Sequence, residues 1–94
     1  MSQSSSDSVD NTHLWFVYIL ESADGTLYTG MTNDIERRLE QHNAGTAARY
    51  TRARTPVKLV HQEESENRST ALKREYAIKQ LTRKQKDQLI TGKT

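Results

Sequence analysis

Cysteine is absent from this 94-residue chain, which excludes a disulfide scaffold, a thiolate metal site and a cysteine nucleophile. Long apolar runs are absent too. The longest, Leu14 to Leu20, spans seven residues, whereas a membrane span needs about 20. Met1 to Asn11 carries no basic n-region and no apolar stretch, so it does not read as a secretory signal. Apolar residues make up only 33 % of the chain. A domain of about 60 residues buries roughly 60 % of its unfolded surface, so a thin core is expected. No repeat or interdomain linker is visible. The expectation is one small soluble domain, cytoplasmic by default.

Charge is plentiful but unevenly spread. The net +2 combines −2 over residues 1–13, −3 over 14–48 and +7 over 49–94. A basic half on a small domain points to an anionic partner, nucleic acid being the commonest. A solvated Lys/Arg-rich helix fits the charge equally well.

Residues 1–12 are Ser/Asp/Asn-rich and too polar to offset ordering entropy, so they read as a disordered tail before one domain over 13–94. Leu14 to Leu20 is β-branched and aromatic, of strand length, and apolar on both alternating faces, which predicts a central strand. Asp24-Gly25 signals a hairpin turn into Thr26–Thr29, with Gly30 closing that strand. Asn33, with Glu36 three residues on, predicts a capped helix that stops near Gly45. Residues 46–55 read as a polar, basic loop. Pro56 forces extended backbone before a third strand, Val57–His61. Helical periodicity resumes near Asn67, and Thr82 with Gln85 predicts a second capping box and a short last helix. The expected class is α+β: a three-stranded antiparallel sheet flanked by helices, in the order β-β-α-β-α-α.

Several side chains fit this frame poorly. Tyr18 puts a hydroxyl in a strand expected to be buried, where it needs a partner. A backbone carbonyl would suffice. Tyr28 lies on the adjoining strand, within cross-strand reach. Arg38 and His42 border the apolar helix face of Ile35 and Leu39, although Arg38 can also snorkel to the surface. Glu75 falls among Ala71, Leu72 and Ile78. A carboxylate there is costly unless it is paired, with Lys79 at favourable i, i+4 spacing, or holds a metal.

Together, Phe16-Val17-Tyr18, Tyr28-Thr29-Gly30, Arg38 eight residues past that glycine, His42 one turn on, and a carboxylate on a later helix resemble the GIY-YIG endonuclease superfamily. The similarity is greatest to its small single-domain bacterial group and extends from roughly Trp15 to Lys86. The departures are Phe16, Val17 and Thr29 at non-catalytic motif positions, and Met31 where repair-nuclease relatives place a Lys.

The resemblance implies phosphodiester hydrolysis in DNA with one divalent ion, Mg²⁺ or Mn²⁺. Glu75 is then the metal ligand and Arg38 a bidentate phosphate clamp. Tyr18 is the candidate general base, Tyr28 the alternate, and His42 an orienting or proton-relaying group. Arg49, Arg52, Arg54 and Lys58, with Tyr50 interleaved, and Lys73, Arg74 and Lys79 are candidate nucleic-acid contacts. RNA is an equally open substrate at this level.

Superfamily members that choose sites usually carry a further DNA-binding domain. None is visible here, which points to structure-directed or weakly specific cleavage. Two alternatives remain: a non-cleaving nucleic-acid-binding module, and a subunit of a DNA repair complex that depends on a protein partner for its substrate.

Overall fold

The computed structural model describes residues 14–92, so the tail expected over 1–12 lies outside the described residues. The run from Val17 to Leu20 is buried on both sides and decides the architecture. Because side chains alternate along a strand, a segment apolar on both faces must sit inside a sheet covered twice. It forms β1 (Trp15–Ser22), central in the order β2-β1-β3 with β2 (Leu27–Thr32) and β3 (Val57–Ser65), all antiparallel. The full order is β1, β2, α1 (Ile35–Asn43), α2 (Arg49–Arg52), β3, α3 (Arg68–Lys79) and α4 (Arg83–Thr91). No helix among the described residues is long and apolar enough to cross a membrane.

The two sheet faces carry separate cores. Val17 and Ile19 pack with Ala71 and Ile78 of α3, supported by Leu89 and Ile90 of α4. Tyr18 and Leu20 pack with Val57, Ile35 and Leu39 on the α1 side. Fully burying one such aliphatic side chain contributes about 1.5–3 kcal/mol, so a core this small rests on a few residues.

The hairpin turns as expected: Gly25 takes φ +86, and Asp24 Oδ1 accepts from the Thr26 amide at 3.1 Å and the Thr26 hydroxyl at 2.7 Å.

Four local expectations are corrected. Gly30 does not end β2 but lies inside it, directly opposite Tyr18. The cap of α1 is Asp34 rather than Asn33, its carboxylate accepting from Arg37 N at 3.1 Å. Thr32 delays the helix by one residue, because its hydroxyl accepts the Asp34 amide at 3.1 Å. The loop over 46–55 contains α2, a single helical turn without apolar periodicity, held by the buried Thr51. Finally, β3 runs past His61 to Ser65, and Glu63 on this polar extension is tied to both His61 and Arg74.

The Thr82–Gln85 box caps α4 as the sequence predicts, and Asn67, near which helical periodicity resumes, is the cap of α3. In α3, however, Ala71 and Ile78 alone are buried. Leu72, expected on the core side, is 48 % exposed, and Tyr76 is 67 % exposed.

Candidate active site

The centre of the site is a chain of hydrogen bonds under the α1 face of the sheet. Tyr18 projects from β1 and its hydroxyl lies 2.9 Å from His42 Nε2. His42 sits on the last turn of α1 and is fully buried. Its other nitrogen, Nδ1, lies 2.8 Å from Thr51 Oγ1. The Thr51 hydroxyl in turn donates to the Ala48 carbonyl at 3.2 Å.

That last bond orients the whole chain. With the Thr51 proton committed to Ala48, Thr51 Oγ1 accepts from Nδ1–H of His42. Nε2 is then the bare nitrogen and accepts the Tyr18 hydroxyl proton.

Burial pushes the Tyr18 phenol well above its ordinary value of 10.0. Neighbouring Tyr28 adds to this, the Arg38 charge opposes it, and the Glu75 charge adds again. Burial, and then the Arg38 charge, hold His42 below its ordinary 6.5. At rest the pair is therefore neutral, with the proton on Tyr18.

Gly30 makes room for this arrangement. A Cβ at residue 30 would stand 2.5 Å from Tyr18 Oη, 2.7 Å from its Cζ and 3.1 Å from Tyr28 Cε2. The glycine is required by close approach rather than by an unusual φ. Gly30→Ala is expected to displace the Tyr18 ring, break the bond to His42 and cost about 1–3 kcal/mol of stability. Denaturant unfolding checks it.

Tyr28 packs edge-on against His42 at 5.0 Å between ring centres and stacks on Tyr50 at 5.9 Å. Among the described residues its hydroxyl has no hydrogen-bond partner comparable to that of Tyr18.

Arg38 is half-buried and lines an apolar recess with Tyr18, Leu20, Ile35, Leu39 and Leu59. It also borders an open polar cleft of ≈ 240 Å³ with Thr32, Asn33, Asp34, Arg37 and Gln41. It forms no ion pair among the described residues. Its stem thus packs against the tyrosine while its guanidinium is uncommitted.

Glu75 lies on α3, and its charge is the smallest of the four influences on the Tyr18 phenol. Its side chain is 16 % exposed, and Oε2 lies 3.5 Å from Lys79 Nζ. The i, i+4 pair with Lys79 is thus present, and the carboxylate is largely buried. No cluster of three or more His, Cys, Asp or Glu gathers as a metal cage among the described residues. A single hard oxygen donor beside an open groove suits an ion such as Mg²⁺, which keeps most of its waters and shares a substrate phosphate.

The basic candidates separate into two groups. Arg54 pairs with Asp24 at 3.3 Å and covers the Tyr50 ring at 4.1 Å. Lys58 pairs with Glu21 at 3.6 Å, and Arg74 grips Glu63 through two hydrogen bonds of 2.6 and 2.9 Å. Lys79 is shared with Glu75. Arg49, Arg52 and Lys73 are exposed and have no carboxylate partner among the described residues. The sequence reading missed Thr51 and the steric role of Gly30. Only the Tyr18↔Gly30 register reveals the latter.

The buried histidine sets a pH dependence. Unfolded, His42 takes up a proton near 6.5, and folded it resists until lower pH. The unfolded chain binds more protons in that window, so stability falls as pH drops through 6.5 to the folded-state value. Denaturant unfolding at about pH 8 and about pH 5.5 is expected to show this loss, and His42→Gln to reduce it.

Residues 14–88 match the family model described as the GIY-YIG catalytic domain. A UPF0213 protein of Halobacterium salinarum is 56 % identical over 74 residues, covering 79 % of this chain and 96 % of that one. A UPF0213 protein of Clostridium perfringens is 56 % identical over 79 residues, covering 84 % and 85 %. Among solved structures, a protein from E. faecalis matches with TM-score 0.60 and 46 % identity, covering 88 % of each chain. The UPF0213 protein of Bacillus halodurans matches with TM-score 0.54 and 42 % identity, covering 83 % of each.

Proposed function

The chain belongs to the GIY-YIG family, and from that premise we propose that it is a divalent-metal-dependent endonuclease hydrolysing phosphodiester bonds in DNA. The observation that carries the reading is the buried line from Tyr18 through His42 to Thr51, bordered by Arg38, which has no carboxylate partner among the described residues. A tyrosine that merely filled a core would need one carbonyl. This one faces a bare imidazole nitrogen whose far side is already fixed.

The roles follow from the chemistry. Tyr18 Oη accepts a proton from the attacking water as its own proton passes to His42 Nε2, so no buried phenolate need exist beforehand. Thr51 keeps Nδ1–H bound throughout and so fixes the ring. Arg38 offers a planar fork to the scissile phosphate, where negative charge grows. Glu75 would hold the ion, which when bound neutralises charge on the phosphoryl and leaving oxygens. Among the basic candidates, Arg49, Arg52 and Lys73 have no carboxylate partner among the described residues and can meet flanking phosphates. Such contacts carry little sequence information, which favours structure-directed or weakly specific cleavage.

The test is incubation with single-stranded, duplex and branched DNA, and with RNA, in Mg²⁺ or Mn²⁺. Cleavage that stops on chelation and is lost in Glu75→Ala is the expected result. Equal cutting by Glu75→Ala would reveal a contaminant and sink the proposal.

A further inference from the structure

The outward stripe of α3 holds more than Glu75. Leu72 is 48 % exposed and Tyr76 67 % exposed, and they are neighbours at i, i+4 on the helix surface. With Lys73, Glu75 and Lys79 they line an open groove of ≈ 490 Å³. Two large apolar side chains left outside are notable in a chain with so little apolar residue to spend on its core.

The rim chemistry narrows the occupant. Lys73 has no carboxylate partner among the described residues, and Lys79 is held only through Glu75 at 3.5 Å. The groove therefore combines an apolar floor, an aromatic ring and an ammonium on each side. A flat π-surface attached to a negatively charged backbone matches all three features.

We infer that this groove receives an unpaired nucleobase of the strand whose adjoining phosphate lies at Arg38 and Glu75. The inference rests on the phosphodiester reading above and extends it to substrate class. Inside a continuous duplex both faces of every base are covered by its neighbours. A flap, a fork, an overhang or a single strand offers Tyr76 an unpaired base, whereas a duplex leaves open only the outer face of each end pair.

The experiment is fluorescence anisotropy in EDTA, so that cleavage does not enter, with blunt duplex and with DNA and RNA overhangs carrying 2-aminopurine. The wild-type chain is expected to prefer an overhang and to quench the 2-aminopurine. Tyr76→Ala should weaken overhang binding by about 5- to 100-fold and leave blunt-duplex binding unchanged, while Tyr76→Phe retains the preference. A loss in both the DNA and RNA arms shows recognition of the base whatever the sugar. A loss in one arm names the strand. Either supports the inference.

No overhang preference in the wild type, an unchanged affinity in Tyr76→Ala, or an equal loss on blunt duplex would overturn it. So would a wild-type dimer that Tyr76→Ala dissolves without touching nucleic-acid affinity. The two proposals fail separately. Intact stacking without cleavage in metal overturns the reaction, whereas intact cleavage without a Tyr76 effect overturns the groove.

Discussion

Tyr18→Phe is expected to lower the DNA cleavage rate by about 10²- to 10⁴-fold, the range typical of losing a positioned acid–base group. The substitution removes one oxygen and keeps the ring that fills the space opposite Gly30, so the fold should survive. His42 Nε2 loses its donor. A buried acceptor left unpaired costs about 1–3 kcal/mol, which unfolding measurements would register alongside the kinetics. Tyr28→Phe is the matched control. Its ring contacts with His42 and Tyr50 do not need the hydroxyl, so its effect should be the smaller. Sequence left the two tyrosines interchangeable, and the hydrogen bond to His42 favours Tyr18. A Tyr28→Phe loss exceeding that of Tyr18→Phe would reverse the assignment.

Arg38→Ala is expected to cost about 10²- to 10³-fold in single-turnover cleavage, comparable to losing one donor to a developing oxyanion. Its effect on stability should be small or favourable. Arg38 is half-buried, lines the recess beside Tyr18 and has no carboxylate partner among the described residues, and a partly desolvated, unpaired charge does not favour folding. Activity and stability moving apart in this way is typical of functional groups. Arg38→Lys should rescue only in part, because an ammonium cannot present a planar fork. One secondary effect is specific to this geometry. The Arg38 charge helps hold His42 below its ordinary value, so its removal should let His42 titrate at higher pH. An Arg38→Ala protein with unchanged cleavage would remove the phosphate clamp from the account.

How far the sequence spoke depended on whether a feature was local. The double-faced apolar run at Val17–Leu20 announced a central strand because strand periodicity is two and both faces were filled. Asp24-Gly25 and Thr82–Gln85 were legible because turns and caps are decided within a few residues. Arg38 and His42 were legible because they share one helix face with Ile35 and Leu39.

What stayed hidden was tertiary. Thr51 sits in a polar stretch without periodicity, and it is buried only because α2 docks on α1. Gly30 read as a terminator because a strand glycine usually weakens pairing. Its reason is a tyrosine across the ladder. Leu72 fell within the arc expected to face the core, but Ala71 and Ile78 alone fill the contact with the sheet, leaving Leu72 and Tyr76 outside. The ion pairs of Arg54, Lys58 and Arg74 join residues distant in sequence, so the supply of free cations could not be counted from composition.

The protonation state of one ring carries the account, and nitrogen NMR of His42 measures it directly. At neutral pH the account requires a protonated Nδ1 bonded to Thr51, a bare Nε2 receiving the Tyr18 hydroxyl, and titration below 6.5. The opposite tautomer, with the proton on Nε2, would turn Tyr18 into an acceptor with nowhere to pass its own proton, and would contradict it.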